Sequence, residues 1–299
     1  MILLNSFYPQ MPDITVTENQ PLNHFSTLGT GGTAEFFAQP DTVLQLQELV
    51  RSAGNIPVYV IGGGSNIIIP DGMIHGLIIS TRKINSITWQ NDSAAEIGAG
   101  FNLSSLMRIL RGKNIGGLEF SAGIPGTIGG AVSGNAGAGG RGVCEFVECV
   151  KAVDVLGNLI EYRRGDFSYG YRYCSLSGVI TASVTMSFSD CPAWNEDEYS
   201  VFMAKRKSQP LNSRSAGCTF KNPEGNSAGK LLDECGCKGL AVGDAYVSDK
   251  HANFIINGGH ASSSDVMALA NLCARKVYEC TGISLEAEIK PLSPCFNVP

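Results

Sequence analysis

Three consecutive glycines followed by two polar side chains form the first segment of this sequence that could bind a ligand. In order, its residues are Gly62, Gly63, Gly64, Ser65 and Asn66, directly after an apolar run. Successive backbone N–H groups in such a segment can point together at a diphosphate, and the two polar side chains add donors. An ordinary tight turn is the alternative, although glycine costs roughly 1 kcal/mol of backbone entropy in a regular element. The segment therefore predicts ligand binding, with a diphosphate as the bound group.

A longer stretch, residues 116–142, is also rich in glycine and other small residues. Its candidate ligand-binding residues are Gly123, Ile124, Pro125, Gly126, Thr127, Gly129, Gly130, Asn135, Ala136 and Gly137. Small residues over such a length leave room for a large, flat ligand against the main chain. A flexible glycine loop is the alternative, but interleaved apolar side chains argue against it. The spacing is not that of a G-x-G-x-x-G motif opening a long helix, so a Rossmann site is not predicted.

Two further motifs resemble known patterns without satisfying them. The segment GNSAGK at residues 225–230 has too few residues between its glycines for a P-loop, and Leu231 follows where Ser or Thr is needed. Phosphoryl transfer is rejected because the Mg²⁺-binding hydroxyl is missing. Cys235 and Cys237 form C-x-C without a second pair, so no metal site is predicted. We expect the cysteines to be reduced, mostly buried thiols.

The composition indicates a folded protein and excludes some classes of partner. The chain has 299 residues, of which 43% are hydrophobic and 16% charged, which is enough apolar surface for packed cores. A formal net charge of −5 and the lack of a basic run disfavour nucleic acid and anionic membranes as partners. The N-terminal residues lack the features of a secretory signal, and no apolar stretch reaches the length of a membrane span. We therefore expect a cytoplasmic location.

Short strands and few helices predict an α+β fold instead of a regular alternation of strands and helices. The predicted strands lie near 58–61, 67–69, 77–79, 86–89, 95–97, 147–156, 179–188 and 283–290. The predicted helices lie at 42–52 with Asp41 as its cap, at about 103–110, at about 196–208, and from Ser264 or a neighbour to Gly282. A change in composition over residues 189–195 predicts a domain boundary near 190.

Six segments in this order along the chain resemble UDP-N-acetylenolpyruvoylglucosamine reductases, also called UDP-N-acetylmuramate dehydrogenases or MurB. The segments are GGGSN, GLEFSAGIPGTIGGAVSGNAGAGG, YGYRY, QPLNSRSAGCTFKNP, HANFIINGG and LEAEIK. The resemblance covers about residues 20–290. The short interval between YGYRY and SAGC is similar to the shorter subclass of the family, which lacks an extra substrate-covering loop.

The resemblance implies a FAD-binding part of the vanillyl-alcohol-oxidase type in two subdomains, followed by an α+β substrate-binding domain. The implied FAD-binding domain is residues 1–189, with subdomains at about 20–80 and 81–189, and the substrate-binding domain is residues 190–299. FAD is non-covalent in this family, and we expect neither His24 nor His75 to anchor it. The implied reaction uses NADPH to reduce UDP-N-acetylglucosamine enolpyruvate to UDP-N-acetylmuramate in peptidoglycan precursor synthesis.

Three catalytic residues are implied by the same resemblance. Arg172 and Glu288 match the catalytic arginine and glutamate, and Cys218 stands where the family usually has a proton-donating serine. The implied substrate contacts are Tyr171, Lys221 and Asn222. The expected chemistry suits these residue types. A guanidinium can stabilise the negative charge that builds on the substrate carboxylate after hydride addition, and a weak acid can then deliver a proton.

The surroundings of two catalytic candidates can be predicted from local patterns. Alternation in LEAEIK predicts that Glu286 and Glu288 face the same side of a strand, and a solvated face is the alternative to catalysis. A free thiol has a pKa of about 8.5, so Cys218 is expected to be mostly protonated at neutral pH. Lys221 or Arg214 is the expected cause of any lowering of that pKa. The alternative makes Cys218 a spacer while water or Glu288 transfers the proton.

Two other functions compete with the reductase interpretation. One is a related FAD-dependent oxidase of sugars or lactones, against which the segment QPLNSRSAGCTFKNP argues. The other is a flavin- or nucleotide-binding regulatory protein without catalysis, against which Arg172 and Glu288 argue.

Overall fold

The computed structural model describes residues 14–296 as a mixture of short strands and helices. The strands are β1 (Val16–Pro21), β2 (Thr33–Ala38), β3 (Val58–Ile61), β4 (Ile67–Ile68), β5 (Met73–Ser80), β6 (Ile87–Trp89), β7 (Ala94–Gly98), β8 (Gly137–Ala138), β9 (Arg141–Gly142), β10 (Val147–Val153), β11 (Leu159–Arg163), β12 (Tyr169–Gly170), β13 (Tyr173–Cys174), β14 (Ile180–Ser187), β15 (Ala241–Val242), β16 (Ala245–Val247), β17 (Ile255–Asn257) and β18 (Lys290–Pro291). The α-helices are α1 (Val43–Ala53), α2 (Leu103–Gly112), α3 (Ile128–Ser133), α4 (Glu196–Lys207), α5 (Ala228–Glu234) and α6 (Ser263–Thr281). The α+β prediction is confirmed.

The first sheet has the order β1-β2-β5-β3, in which β2 and β3 both pair parallel to β5. Helix α1 connects β2 to β3, as a parallel arrangement requires, and its apolar side packs into the core beneath the sheet. Its N-cap is Thr42, whose hydroxyl accepts from Gln45 N at 3.2 Å, so the prediction of Asp41 as cap was wrong by one residue. Strand β3 leads directly into the glycines at 62–64.

The second sheet is antiparallel throughout, with the order β11-β10-β14-β7-β6. The largest apolar cluster covers one of its faces and includes Leu106, Leu110, Ile128 and Val132 from α2 and α3. The glycine-rich stretch therefore folds onto this sheet as short elements, including α3 and the hairpin β8–β9, because its interleaved apolar residues are buried.

The C-terminal part combines a three-stranded sheet, order β15-β16-β17, with α5 and α6 around their own core. Helix α6 begins at a capping box formed by Ser262 and Asp265, and Gly282 ends it in the left-handed conformation with φ 72°. Helix α4 has the predicted acidic first turn and basic last turn. The predicted boundary near 190 falls between β14 and α4, and the division into domains stays a prediction.

The predicted strand at 283–290 is wrong as a continuous element. Its backbone instead makes short contacts with two different segments, residues 219–221 and Asn66. Glu286 O accepts from Lys221 N at 2.8 Å, Glu288 N donates to Thr219 O at 2.8 Å, and Lys290 N donates to Asn66 O at 3.1 Å. The segment thus changes partner between Glu288 and Lys290, and only β18 pairs with β4. It ties the C-terminal part to the glycines that follow β3.

Among residues 14–296, no helix combines the length and the apolar character needed to cross a membrane.

Candidate active site

The two predicted ligand-binding glycine segments meet each other, and we call residues 62–66 and 125–130 together the glycine cradle. Ser65 Oγ donates to the Pro125 carbonyl at 3.2 Å. A Cβ at Gly63 would lie 2.7 Å from the Cα of Gly126, closer than such atoms approach in proteins. Glycine is therefore required here by the close approach of two backbones, which also leaves their surfaces open to a ligand.

Arg82 fixes the first half of the cradle and was missed by sequence reasoning. Its Nε donates to Gly62 O at 2.9 Å, and one Nη donates to Gly63 O at 3.0 Å and to Phe25 O at 2.9 Å. These bonds hold the glycine carbonyls toward Arg82, and burial lowers the pKa of its guanidinium. No local pattern marks this arginine, because its partners are distant backbone atoms.

Thr127 carries a buried hydroxyl that has no hydrogen-bond partner among the described residues. This Oγ1 would lie 2.6 Å from a Cβ added at Gly62 and 3.6 Å from one added at Gly130. Leaving a buried hydroxyl unpaired costs about 1–3 kcal/mol, so the position is suited to a ligand that bonds to it. The cradle thus fits a flat, phosphate-bearing group such as FAD.

The remaining predicted cofactor residues lie around the cradle. Gly123, with φ 69°, packs against the side chain of Arg206, and Ile124 packs against the core of the second sheet. Ala136 N donates to Ala131 O at 2.7 Å at the end of α3. The carbonyl of Gly137 accepts from an Nη of Arg172 at 2.9 Å, so this end of the stretch reaches the catalytic candidates.

Arg172 occupies the tip of the hairpin β12–β13 and pairs with Glu288. Its Nε donates to Glu288 Oε1 in a short hydrogen bond, and the two side chains are only 23% and 15% exposed. Arg172 has φ 54°, a left-handed conformation that is uncommon outside glycine and occurs at functional sites. The structure therefore brings together two candidates from distant parts of the chain.

Glu288 lies in a different environment from Glu286. Burial raises the pKa of the Glu288 carboxyl, and Arg172, Lys221 and Arg206 oppose that rise. The side chain of Glu286 is 74% exposed and accepts from Lys221 Nζ at 2.5 Å. The predicted shared face is therefore wrong: alternation fails because Ala287 is exposed, and the solvated-face alternative does not hold for Glu288.

Cys218 lies beside the same pair. Burial raises the pKa of its thiol to about 11, helped by the charge of Glu288, while Arg172 and Arg206 pull in the opposite direction. The expectation that Lys221 or Arg214 would act on this thiol is wrong. Arg214 is exposed and donates to Gly259 O at 3.4 Å. The result is a thiol that stays protonated at neutral pH.

Arg206 is a second functional residue that sequence reasoning missed. It lies in the last turn of α4, where basic residues were explained by the helix dipole, yet its guanidinium is largely buried, which lowers its pKa. Its Nε donates to Ala122 O at 3.2 Å and an Nη to Gln209 Oε1 at 3.0 Å. We call Arg172, Arg206, Cys218 and Glu288 the charged cluster.

The predicted substrate contacts border the charged cluster. Tyr171 Oη accepts from Asn222 N at 3.2 Å, and Asn222 Oδ1 accepts from Ala228 N at 3.0 Å. A buried asparagine, Asn253, holds this segment by bonding both backbone groups of Phe220, at 2.9 and 2.8 Å. The first asparagine of the segment HANFIINGG therefore has a structural role.

No group of His, Cys, Asp and Glu within residues 14–296 is arranged to hold a metal ion.

Comparisons with known proteins agree with this geometry. A family model described as UDP-N-acetylenolpyruvoylglucosamine reductase, C-terminal domain, matches residues 209–292, and a FAD binding domain model matches residues 34–163. A reductase of that name from Syntrophus aciditrophicus is 39% identical over 91% of this chain and 90% of its own length. One from Clostridioides difficile is 37% identical, over 94% and 93%. The crystal structure of the Thermus caldophilus reductase is 34% identical, with a TM-score of 0.79 over 94% of this chain and all of that one.

Proposed function

The chain belongs to the UDP-N-acetylenolpyruvoylglucosamine reductase family, and from this premise we propose that it reduces UDP-N-acetylglucosamine enolpyruvate to UDP-N-acetylmuramate with NADPH. It is a FAD-dependent oxidoreductase of peptidoglycan precursor synthesis. The observation that carries the proposal is the charged cluster, a buried arginine–glutamate pair with a protonated thiol at the edge of a glycine cradle.

The glycine cradle is the proposed site of FAD. FAD bound there would supply the redox chemistry, which is the transfer of a hydride from NADPH to the methylene carbon of the enolpyruvyl group. Thr127 would bond the cofactor through its unpaired hydroxyl, and Arg82 holds the cradle backbone in place through its hydrogen bonds.

We also propose that residues up to 189 form the FAD-binding domain and residues 190–299 the substrate-binding domain. The two family models lie on either side of that division.

Arg172 and Arg206 are proposed to stabilise the carboxylate of the substrate. Hydride addition at the methylene carbon moves negative charge onto that carboxylate, and a fixed guanidinium lowers the energy of the charged state. Two arginines against one glutamate leave a net charge of +1 around the neutral thiol, which complements a monoanion. Glu288 keeps Arg172 in place, and its negative charge offsets the repulsion between the two guanidinium groups.

Cys218 is proposed to deliver the proton to the carbon that bears the carboxylate. The transfer breaks the S–H bond and forms the C–H bond, and the thiolate left behind is stabilised by the two arginines. The hydride and this proton together saturate the carbon–carbon double bond. Bulk solvent then restores the thiol proton. Because its pKa is raised, the thiol stays protonated between turnovers.

Lys221 and Asn222 are proposed substrate contacts, with Tyr171 beside them at the mouth of the site. Lys221 is partly buried and presents a cation next to the cluster, which suits the phosphates of a nucleotide sugar.

We also propose a cytoplasmic location, since NADPH and nucleotide-activated sugars are cytoplasmic metabolites.

The experiment that tests the proposed function is NADPH oxidation with and without UDP-N-acetylglucosamine enolpyruvate under anaerobic conditions. We expect a yellow protein that releases FAD on denaturation and consumes one NADPH for each UDP-N-acetylmuramate formed. A protein that cannot be loaded with FAD, or one whose NADPH oxidation requires oxygen and ignores the enolpyruvyl sugar, would rule the proposal out in favour of an oxidase or a non-catalytic protein.

A further inference from the structure

Asn135 connects the glycine-rich stretch to the hairpin that carries Arg172. Its Nδ2 donates to the Gly170 carbonyl at 2.8 Å, and its Oδ1 accepts from the Cys144 N–H at 3.0 Å. The residue is only 8% exposed. Both ends of the side-chain amide therefore bond within the protein, although the sequence had suggested that Asn135 binds the cofactor.

The two partners also fix the orientation of the amide. A backbone N–H can bond only to the amide oxygen, and a carbonyl can bond only to the amide nitrogen, so the side chain fits in one orientation. Aspartate has the same shape but no donor when ionised. It would keep the bond to Cys144 and set a negative oxygen against the Gly170 carbonyl. Asparagine is therefore the side chain that satisfies both partners.

The backbone and the packing hold Asn135 in this position. Its φ of 41° is left-handed, a conformation in which asparagine is tolerated better than most side chains. A Cβ on Gly142 would lie 2.7 Å from Asn135 Cγ, so the chain passes directly over the amide. The side chain has little freedom to turn toward a ligand.

The hairpin needs such a contact because it is short. Strands β12 and β13 contain two residues each, and a hairpin of that length is not stable by itself in water. Gly170, whose carbonyl Asn135 binds, comes immediately before the tip residues Tyr171 and Arg172 and pairs with Tyr173. Fixing this carbonyl therefore fixes the position of the backbone from which the Arg172 side chain extends.

We propose that Asn135 is a positioning residue for Arg172: it sets the hairpin so that the guanidinium meets Glu288 and the substrate carboxylate. This inference rests on the proposed function, because Arg172 matters only if the enolpyruvyl sugar is reduced. It assigns Asn135 to substrate reduction and not to FAD binding. Two half-reactions, reduction of the flavin by NADPH and its reoxidation by the enolpyruvyl sugar, can be measured separately and distinguish these roles.

The first test compares Asn135→Gly with a matched control. Glycine adopts φ 41° without strain, so this variant removes the amide and keeps the backbone. The control is Asn114→Gly, since Asn114 also has a left-handed φ of 57° but is exposed at the end of α2. We expect Asn135→Gly to slow reoxidation of the reduced flavin by the enolpyruvyl sugar about 10–100-fold, the scale of a small misplacement. The FAD dissociation constant, flavin reduction by NADPH and the control should match wild type.

A double-mutant cycle tests whether Asn135 acts through Arg172. In an Arg172→Ala background, Asn135→Gly should slow reoxidation no further, because the residue that it positions is already gone. Equal slowing in both backgrounds would overturn the proposal. So would weaker FAD binding by Asn135→Gly together with slower reduction by NADPH, which is the signature of a cofactor ligand.

Asn135→Asp adds a readout that a purely structural role would not give. Its reoxidation rate should rise as pH falls, because the protonated carboxyl can again donate to Gly170, whereas the wild-type amide does not titrate. A pH profile parallel to that of wild type would contradict the positioning role. Wild-type flavin that the enolpyruvyl sugar does not reoxidise would instead refute the proposed function itself, so the two failures are distinct.

Discussion

The glycine cradle and the charged cluster lie next to each other but are built by different means. The cradle is made of backbone: two glycine segments approach so closely that a Cβ at Gly63 would meet Gly126, and Arg82 binds its carbonyls. The cluster is made of side chains from distant segments, where burial raises the pKa of the Cys218 thiol and of the Glu288 carboxyl while Arg172 and Arg206 oppose both rises. Shape decides what the first region binds, and electrostatics decides what the second can do.

The two regions touch at defined atoms. Asn66, the last residue of the first glycine segment, donates to the Glu288 carbonyl at 3.2 Å, and Gly137 accepts from Arg172. Each half of the glycine-rich sequence thus ends by holding one member of the arginine–glutamate pair. Substitutions in the cluster should therefore spare FAD binding, and substitutions in the cradle should impair it.

The largest effect is expected at Cys218. Cys218→Ala removes the proposed proton donor and should slow reoxidation of the reduced flavin roughly 10²–10⁴-fold, the scale of general-acid catalysis. Reduction by NADPH should change little, because that half-reaction needs no proton at the substrate carbon. Cys218→Ser is the matched variant and should keep more activity than alanine. Equal reoxidation rates for cysteine, serine and alanine would mean that Cys218 is only a spacer.

Glu288→Gln should follow with a reoxidation rate lower by ~10²–10³-fold, as for the loss of one charge-stabilising group. The amide keeps the shape but removes the charge that pairs with Arg172. FAD content, measured from the flavin spectrum, should equal that of wild type. Glu286→Gln is the control, since its carboxylate is largely exposed. Loss of FAD from Glu288→Gln would break the distinction between the two regions.

The pH dependence of thiol alkylation tests the environment of Cys218. A raised pKa means that the thiol stays protonated until the pH approaches about 11 and only then becomes a thiolate. At pH 8 its alkylation should therefore be on the order of 100-fold slower than that of a thiol with pKa 8.5. Mass spectrometry can follow Cys218, with exposed Cys280 as an internal reference. A plateau in the Cys218 rate below pH 9 would show that the arginines outweigh burial.

Gly63→Ala should weaken FAD binding by about 10–100-fold, the equivalent of ~1–3 kcal/mol of overpacking. The added Cβ would meet the Cα of Gly126 at 2.7 Å and the N of Thr127 at 3.3 Å, backbone atoms that cannot rotate away. Gly165→Ala is the control, because an added Cβ there meets no described atom within 4 Å. An FAD titration that gives the same dissociation constant for both variants would contradict the account of the cradle.

Local patterns were sufficient for much of the scaffold and for the cradle. The strand before Gly62, the charge polarity of α4 and the glycine that ends α6 all depend on residues close in sequence. The glycine segments could be predicted as a ligand site for the same reason, because consecutive glycines constrain their own backbone, and that assignment stays a prediction. These features are properties of short stretches of chain.

The charged cluster could not be assembled from local patterns. The sequence segment at 283–290 alternates like a strand, but its backbone partners lie in two separate segments, which alternation does not encode. Arg206 looks like an ordinary helix-terminal cation until the fold buries it. Arg172 and Glu288 were identified only through the family resemblance, and their contact depends on long-range packing.

The central claim is that the cradle holds FAD while the charged cluster stabilises and protonates the substrate during its reduction, and Arg172→Ala tests it most directly. The measurement is anaerobic stopped-flow absorbance of the flavin, following its reduction by NADPH and then its reoxidation by UDP-N-acetylglucosamine enolpyruvate. We predict a bound flavin reduced at nearly the wild-type rate but reoxidised ~10²–10³-fold more slowly. Reoxidation at the wild-type rate, or loss of FAD from the variant, would contradict the account.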